Sequence, residues 1–286
     1  MMKNYLIVTD TTSAMNSIQA KEYGIELVSL SVLIDGIEYK DQLDITTDQL
    51  YQKLKEDYVP TTSQPNTGYL EELMKKWQAK EYDAIIVITC SSDLSGTWSG
   101  FNLVKNQLEM NNMYIYDSRQ VGAPVMDMAI TAKKMVDQGK DVNDIFTMLE
   151  MKTKNSFSFL IPKDFKQLAR GGRLSPMAAK MASILKVKAL LYLKEDGSCV
   201  DKYAMSRTET KIIKTAIDKF KEYGVSSDNH TLYISHGDNE NLAINVKNIF
   251  KEIFPGIDVV INKLPAVLTC HGGLGCIALH YVHKMK

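Results

Sequence analysis

The first half of the chain repeats one arrangement: a short aliphatic run, a loop rich in hydroxyls, then a segment with helical periodicity. The runs are NYLIVTD at 4–10, AIIVIT at 84–89 and MYIYDS at 113–118. Runs of this length without polar alternation suit strands covered on both faces. The amphipathic segments between them supply the cover, so the spacing predicts a parallel sheet with helices on both faces. The loops TDTTS at 9–13, TCSSDLSGTWSG at 89–100 and YDSRQ at 116–120 then fall beyond the carboxyl ends of the strands. Open α/β sheets bind ligands there.

Local signals fill in the rest of this half. Thr11, Thr12 and Ser13 are placed to cap a helix after the first strand. The stretch IELVSLSVLIDGIEYKD, 25–41, predicts a strand, an Asp35-Gly36 turn and a return strand. A helix capped by Thr46 or Thr47 follows, then the uncharged loop VPTTSQPNTGY at 59–69, then a helix over 67–80.

The second half changes character. NSFSFLIP reads as a strand closed by Pro162, and KDFKQLARGGRLSP as a helix ending at Gly171-Gly172 with Pro176 opening the next. A hairpin turns at Asp196-Gly197 within 186–207, a helix stops at Gly224, and a strand-helix-strand unit spans 230–264. This predicts two domains, an N-terminal α/β domain over 1–155 and a mixed α/β C-terminal domain over 156–286.

Composition narrows the function classes. With 34 Lys and Arg against 34 Asp and Glu the formal net charge is zero, which argues against nucleic-acid binding. The opening apolar run stops at Asp10, which predicts neither a signal peptide nor a span, and no later run is long enough to cross a membrane. The expected location is cytoplasmic. Cys90, Cys199, Cys270 and Cys276 show no CxxC spacing, so buried free thiols are expected. No GxGxxG, GxxxxGK[ST] or GxSxG pattern is present, which weighs against nucleotide-binding and hydrolase readings.

Three loops carry candidate chemistry. Ser95 and Gly96 stand where a strand passes into a helix, so free backbone N–H groups and the positive end of the helix dipole face the loop. These groups and a few hydroxyls could hold a carboxylate; the alternative is that Ser95 only caps its helix. Thr62, Ser63 and Gln64 form a similar polar loop. His271, in CHGGLGC, lies in a glycine-rich loop and could donate to a carboxylate or be merely structural. A metal reading of Cys270, Cys276, His280 and His283 lacks the spacing of a zinc module, and no metal is expected. Arg170, Arg173 and Arg207 are either charges near helix ends or a docking point for a partner.

Taken in order, VTD at 8–10, TSQP at 62–65, SSDLSGT at 91–97, Asp117-Ser118, GGRL at 171–174, Asp196-Gly197, Arg207 and HGGLG at 271–275 resemble the DegV family of bacterial fatty-acid-binding proteins. The resemblance implies one long-chain fatty acid held between two α/β domains, with its carboxylate near Thr62, Ser63, Ser95, Gly96 and His271. It further implies that the protein is a carrier with no cofactor of its own, which presents the carboxylate to a separate ATP-dependent fatty acid kinase. Arg173, with Arg207, would then dock that partner. Membrane contact would be transient at most. Asp93 and Leu274 stand where the family usually has Gly and Pro, and residues 119–125 also depart from its pattern. The competing expectation is a stand-alone acyl-transfer or hydrolytic enzyme with Ser95 as nucleophile and His271 as base.

Overall fold

The structure is a computed structural model that describes residues 3–163, 165–180 and 187–285. Where sequence-predicted segments reach Met1, Met2, Asp164, residues 181–186 and Lys286, they lie outside the described residues.

Four parallel strands form the first sheet in the order β2-β1-β6-β7: β1 Tyr5–Asp10, β2 Glu26–Val28, β6 Ala84–Thr89 and β7 Met113–Asp117. Alternate residues serve opposite faces, as the pleat requires. Leu6, Val8, Ile85 and Val87 pack with Leu70 and Met74 of α3 (Thr67–Gln78) and Phe101 of α4 (Thr97–Gln107). Ile7, Ile86 and Ile88 pack with α5 (Ala123–Asp137), α6 (Val142–Lys154) and Ala20 of α1 (Ser17–Tyr23). The strand order reverses at β1, so the loops after β1 and β6 flank a switch point.

A small antiparallel sheet, β4-β3-β5, stands beside this unit: β3 Ser31–Ile34, β4 Ile37–Lys40 and β5 Thr61–Ser63. Its hairpin turns at Asp35 and Gly36, with φ of +50° and +79°, the left-handed pair a two-residue turn needs. The helix α2 (Thr47–Lys55) is capped by Thr46.

The second sheet has six strands in the order β10-β9-β8-β13-β11-β12. They are β8 Phe157–Ile161, β9 Lys188–Leu193, β10 Val200–Ser206, β11 His230–His236, β12 Asp258–Lys263 and β13 Ile277–His283. Only β11 and β12 pair in parallel; the other ladders are antiparallel. One face is covered by α9 (Glu209–Glu222) and α10 (Glu240–Ile253) through an aromatic core that includes Phe157, Phe220, Phe250 and Tyr281. On the other face, Tyr233 and Val282 join the core beneath α5. The short helices α7 (Phe165–Arg170), α8 (Pro176–Lys180) and α11 (Ala266–Gly272) complete the described elements.

Four local expectations are corrected. The stretch 25–34 is not one strand: it divides at Ser29-Leu30 into β2 and β3, in different sheets. The backbone of Leu30 leaves the ladder because its N–H donates to Thr11 Oγ1 at 3.1 Å and its carbonyl accepts from Asp41 N at 2.8 Å. Thr11–Ser13 form a single 3-10 turn, with Asp10 accepting from Thr12 N, and Asn16 caps α1 instead. The TTS of the hydroxyl loop is strand β5, because Thr62 finds Val32 across the ladder. His271 lies in the last turn of α11 rather than in a loop, and the segment 277–283 takes the strand alternative, with His280 facing inward.

Candidate functional site

A cavity of ≈ 380 Å³ opens between the carboxyl ends of β1 and β6, the edge strand β5, helix α11 and the β8–β13 face of the second sheet. That volume lies within the range of small-molecule sites. Its wall is mostly apolar, with Leu30, Leu94, Val121, Leu160, Leu168 and Leu193 among its residues. Thr62, Ser95, Arg173 and His271 are among its polar lining residues.

Helix α11 supplies His271. Its amino end is held across the chain by Asp41, whose Oδ2 accepts from Val267 N at 3.3 Å, and Ala266, Val267 and Cys270 pack on Val32 and Ile34 of the small sheet. The small sheet in turn presents Thr62, whose Oγ1 lies 2.9 Å from His271 Nε2. The other ring nitrogen, Nδ1, is buried without a hydrogen-bond partner among the described residues. Burial pushes the His271 pKa down to about 4, and the neighbouring positive charge of Arg173 adds to the fall. The imidazole is therefore neutral at pH 7. With the proton on Nε2 it donates to Thr62 and leaves the Thr62 hydroxyl proton free for a ligand; with the proton on Nδ1 it accepts from that hydroxyl.

The loop after β6 supplies Ser95 and Gly96. Gly96 is the N-cap of α4. The Ser95 hydroxyl pairs with Thr97 Oγ1 at 2.9 Å and lies 3.4 Å from Thr97 N, so it does part of the work of a cap. A Cβ at Gly96 would sit 1.7 Å from Gln64 Oε1. The glycine thus lets the residue after β5 lie on the amino end of α4, and this close approach ties TSQP to LSGT. On β5 the side chains of Thr62 and Ser63 leave from opposite faces. Ser63 is exposed and donates to Gln64 O at 3.2 Å.

Arg173, expected at a docking point for a partner, is not fully exposed. It is half-buried and lines the same cavity. Its Nε donates to Leu94 O at 3.0 Å and its Nη1 to Gly171 O at 2.5 Å. Among the described residues it has no carboxylate partner, and it is the one lining residue that carries a formal charge at pH 7. A cradle that is uncharged along the sequence therefore gains a guanidinium through the fold. Arg207 does not join it. Arg207 is exposed just beyond β10, roughly 20 Å along that strand from Val200, which abuts Arg173.

Ser95 and His271, the pair required by a hydrolytic reading, make no hydrogen bond with each other. Ser95 is engaged with Thr97 and His271 with Thr62. Sequence reasoning missed Ser158 and weighed His280 only as a metal ligand; both also line the cavity. The signal for both was a polar residue set alone in an apolar strand run. Among the described residues no group of three or more His, Cys, Asp or Glu could hold a metal ion, and no described helix is long and apolar enough to cross a membrane.

Comparison with known proteins adds a family. The profile of the DegV family, described as uncharacterised protein, DegV family, matches residues 4–284. A DegV domain-containing protein of Halalkalibacterium halodurans is 30% identical over 285 residues, covering 99% of this chain and 100% of that one. The crystal structure of Bacillus subtilis DegV, described as a fatty acid binding protein, is 26% identical, with a TM-score of 0.86 over 99% of this chain and 100% of that one. A DegV family protein from Thermus thermophilus, also described by its fatty acid binding, shares the fold at 24% identity, with a TM-score of 0.89 over 98% of this chain and 100% of that one. With a profile matched almost end to end and these relatives aligned over nearly their whole lengths, the chain belongs to the DegV family.

Proposed function

We propose that the protein binds a long-chain fatty acid in this cavity and presents its carboxylate to a separate ATP-dependent fatty acid kinase. The observation that carries the first part is the cavity's lining: a mostly apolar wall that also presents Thr62, His271, Ser95 and Arg173, with Thr62 and His271 2.9 Å apart. The fatty acid binding described for the Bacillus subtilis relative supports the same reading. Burial of the acyl chain supplies affinity at about 0.8 kcal/mol per CH2. The head group needs orientation and a counter-charge. Thr62, Ser95 and the backbone at Gly96 provide hydrogen bonds, and Arg173 offsets the cost of desolvating the carboxylate.

A neutral His271 suits a carrier, because it holds the carboxylate without committing a proton to it. The missing Ser95–His271 contact disfavours the hydrolytic alternative, since a nucleophile needs its base within hydrogen-bond reach. The kinase step rests on the family resemblance; Arg173 would serve it from the cavity side and Arg207 from the surface. We divide the two halves at residue 155, between the end of α6 and the start of β8.

Native mass spectrometry of protein purified from cells tests the binding reading. A mass increment equal to a long-chain fatty acid is expected. Protein that shows only its own mass, and takes up no stearate when it is supplied, refutes it. Acyl phosphate formed only when this protein, a fatty acid kinase and Mg-ATP are combined tests the second part.

A further inference from the structure

The cavity has a second polar point that the head-group reading does not use. In the ladder between β8 and β13, Ser158 stands directly opposite His280, and Leu160 opposite Ala278. All four line the cavity. His280 is 3% exposed and Ser158 5%. Ser158 Oγ lies 2.7 Å from His280 Nδ1, while His280 Nε2 is buried with no partner among the described residues. The Ser158 hydroxyl has no other hydrogen-bond partner among the described residues. Its proton therefore goes to Nδ1, which leaves the ring proton on Nε2. The opposite tautomer would strand both the hydroxyl proton and the Nε2 lone pair.

The position across the cavity keeps that nitrogen open. Gly122 has φ of +74°, and a Cβ there would sit 3.6 Å from Nε2 and cover it. Burial pushes the His280 pKa down to about 3, so the ring is neutral. No polar group among the described residues lies within hydrogen-bond reach of it. A buried donor left without an acceptor is a cost the fold carries unless something in the cavity satisfies it.

We infer that His280 Nε2 donates to an oxygen within the acyl chain, so that the preferred ligand is a long-chain fatty acid bearing an in-chain hydroxyl or keto group. Ser158 is the positioning residue that fixes the tautomer. The inference rests on the fatty-acid reading above and narrows it.

Calorimetric titration with stearate and with positional sets of hydroxystearates and ketostearates tests it. One position is expected to bind about tenfold more tightly than stearate, and positions that bury their oxygen elsewhere more weakly. In His280→Leu the order should invert, with stearate tighter and the favoured isomer weaker. Thermal unfolding checks that this variant folds; if it does not, the wild-type positional series decides alone. Stearate binding with no oxygenated isomer bound more tightly overturns the inference and leaves the fatty-acid reading standing. Failure of every chain, stearate included, overturns both.

Discussion

Two neighbouring glycines separate the geometry of the site from that of the backbone. Gly171 has an ordinary φ, whereas Gly172 has φ of +69°. A Cβ at Gly171 would lie 2.3 Å from His271 Nδ1 and 3.2 Å from Leu168 O; a Cβ at Gly172 would meet nothing within 4 Å. Gly171→Ala therefore forces the imidazole back by about 1.1 Å to reach the 3.4 Å of ordinary contact. That ring already sits 2.9 Å from Thr62 Oγ1, and a shift of this size breaks or distorts the pair. The loss of one oriented hydrogen bond to a carboxylate corresponds to about 2 kcal/mol, or roughly thirtyfold in Kd. Gly172→Ala instead places a Cβ in the left-handed region, at about 1 kcal/mol of folding stability, with no contact to His271.

The assay is calorimetric titration of stearate into both variants, beside thermal unfolding. Gly171→Ala should lose affinity, and Gly172→Ala should lose Tm while keeping affinity. Wild-type affinity in Gly171→Ala would refute the argument that His271 is held for the head group by the close approach of Gly171. Equal affinity losses in the two variants would show that the turn as a whole, and not the ring, had been disturbed.

Three further outcomes are expected. Ser95→Ala should weaken stearate binding by roughly tenfold; unchanged affinity with lowered Tm would confine Ser95 to its bonds with Thr97. Arg173→Ala should weaken stearate about tenfold and leave stearyl alcohol nearly unaffected, whereas unchanged stearate binding with lost kinase-supported phosphorylation would leave Arg173 a docking role only. Acid should destabilise through the buried histidines: His280, down to about 3, and His271, down to about 4, stay neutral in the fold while the unfolded chain takes up protons below about 6.5, so their share of stability falls as pH drops. Asp41, raised to about 7 by burial, acts in the opposite sense, its share being lost as pH rises through 7. Comparing wild type with His280→Leu cancels the Asp41 contribution, and between pH 6 and 4 the variant should lose about 1.4 kcal/mol per pH unit less; parallel stability curves would contradict the buried neutral ring.

What was legible in the sequence depended on how local its cause is. Strand β6 was read to the residue because AIIVIT is an unbroken aliphatic run whose alternate side chains serve two cores. The Asp35-Gly36 turn was read because its left-handed backbone selects those residue types. Strand β5 was not, because three residues of TTS become a strand only by pairing with β3, some thirty residues earlier. Helix α11 was also hidden. Its seven residues include β-branched Val267 and Thr269, which favour helix weakly, and its start is held by Asp41 from the other half of the chain.

The head of the site repeats this division. Each contributor sits in its own local motif, and the motifs could be recognised one by one; their chemistry as a group could not. Thr62 meets His271 because β5 and α11 both pack against β3. Gln64 covers Gly96 because the turn after β5 meets the amino end of α4. Arg173 reaches the cavity because its guanidinium is pinned to Leu94 O and Gly171 O. Read from the loops alone, the cradle is one of hydroxyls and backbone, without charge. In the fold, a guanidinium with no carboxylate partner among the described residues stands beside a histidine kept neutral, so under the proposed function Arg173 would balance the charge of a bound carboxylate while Thr62 and His271 would set its direction.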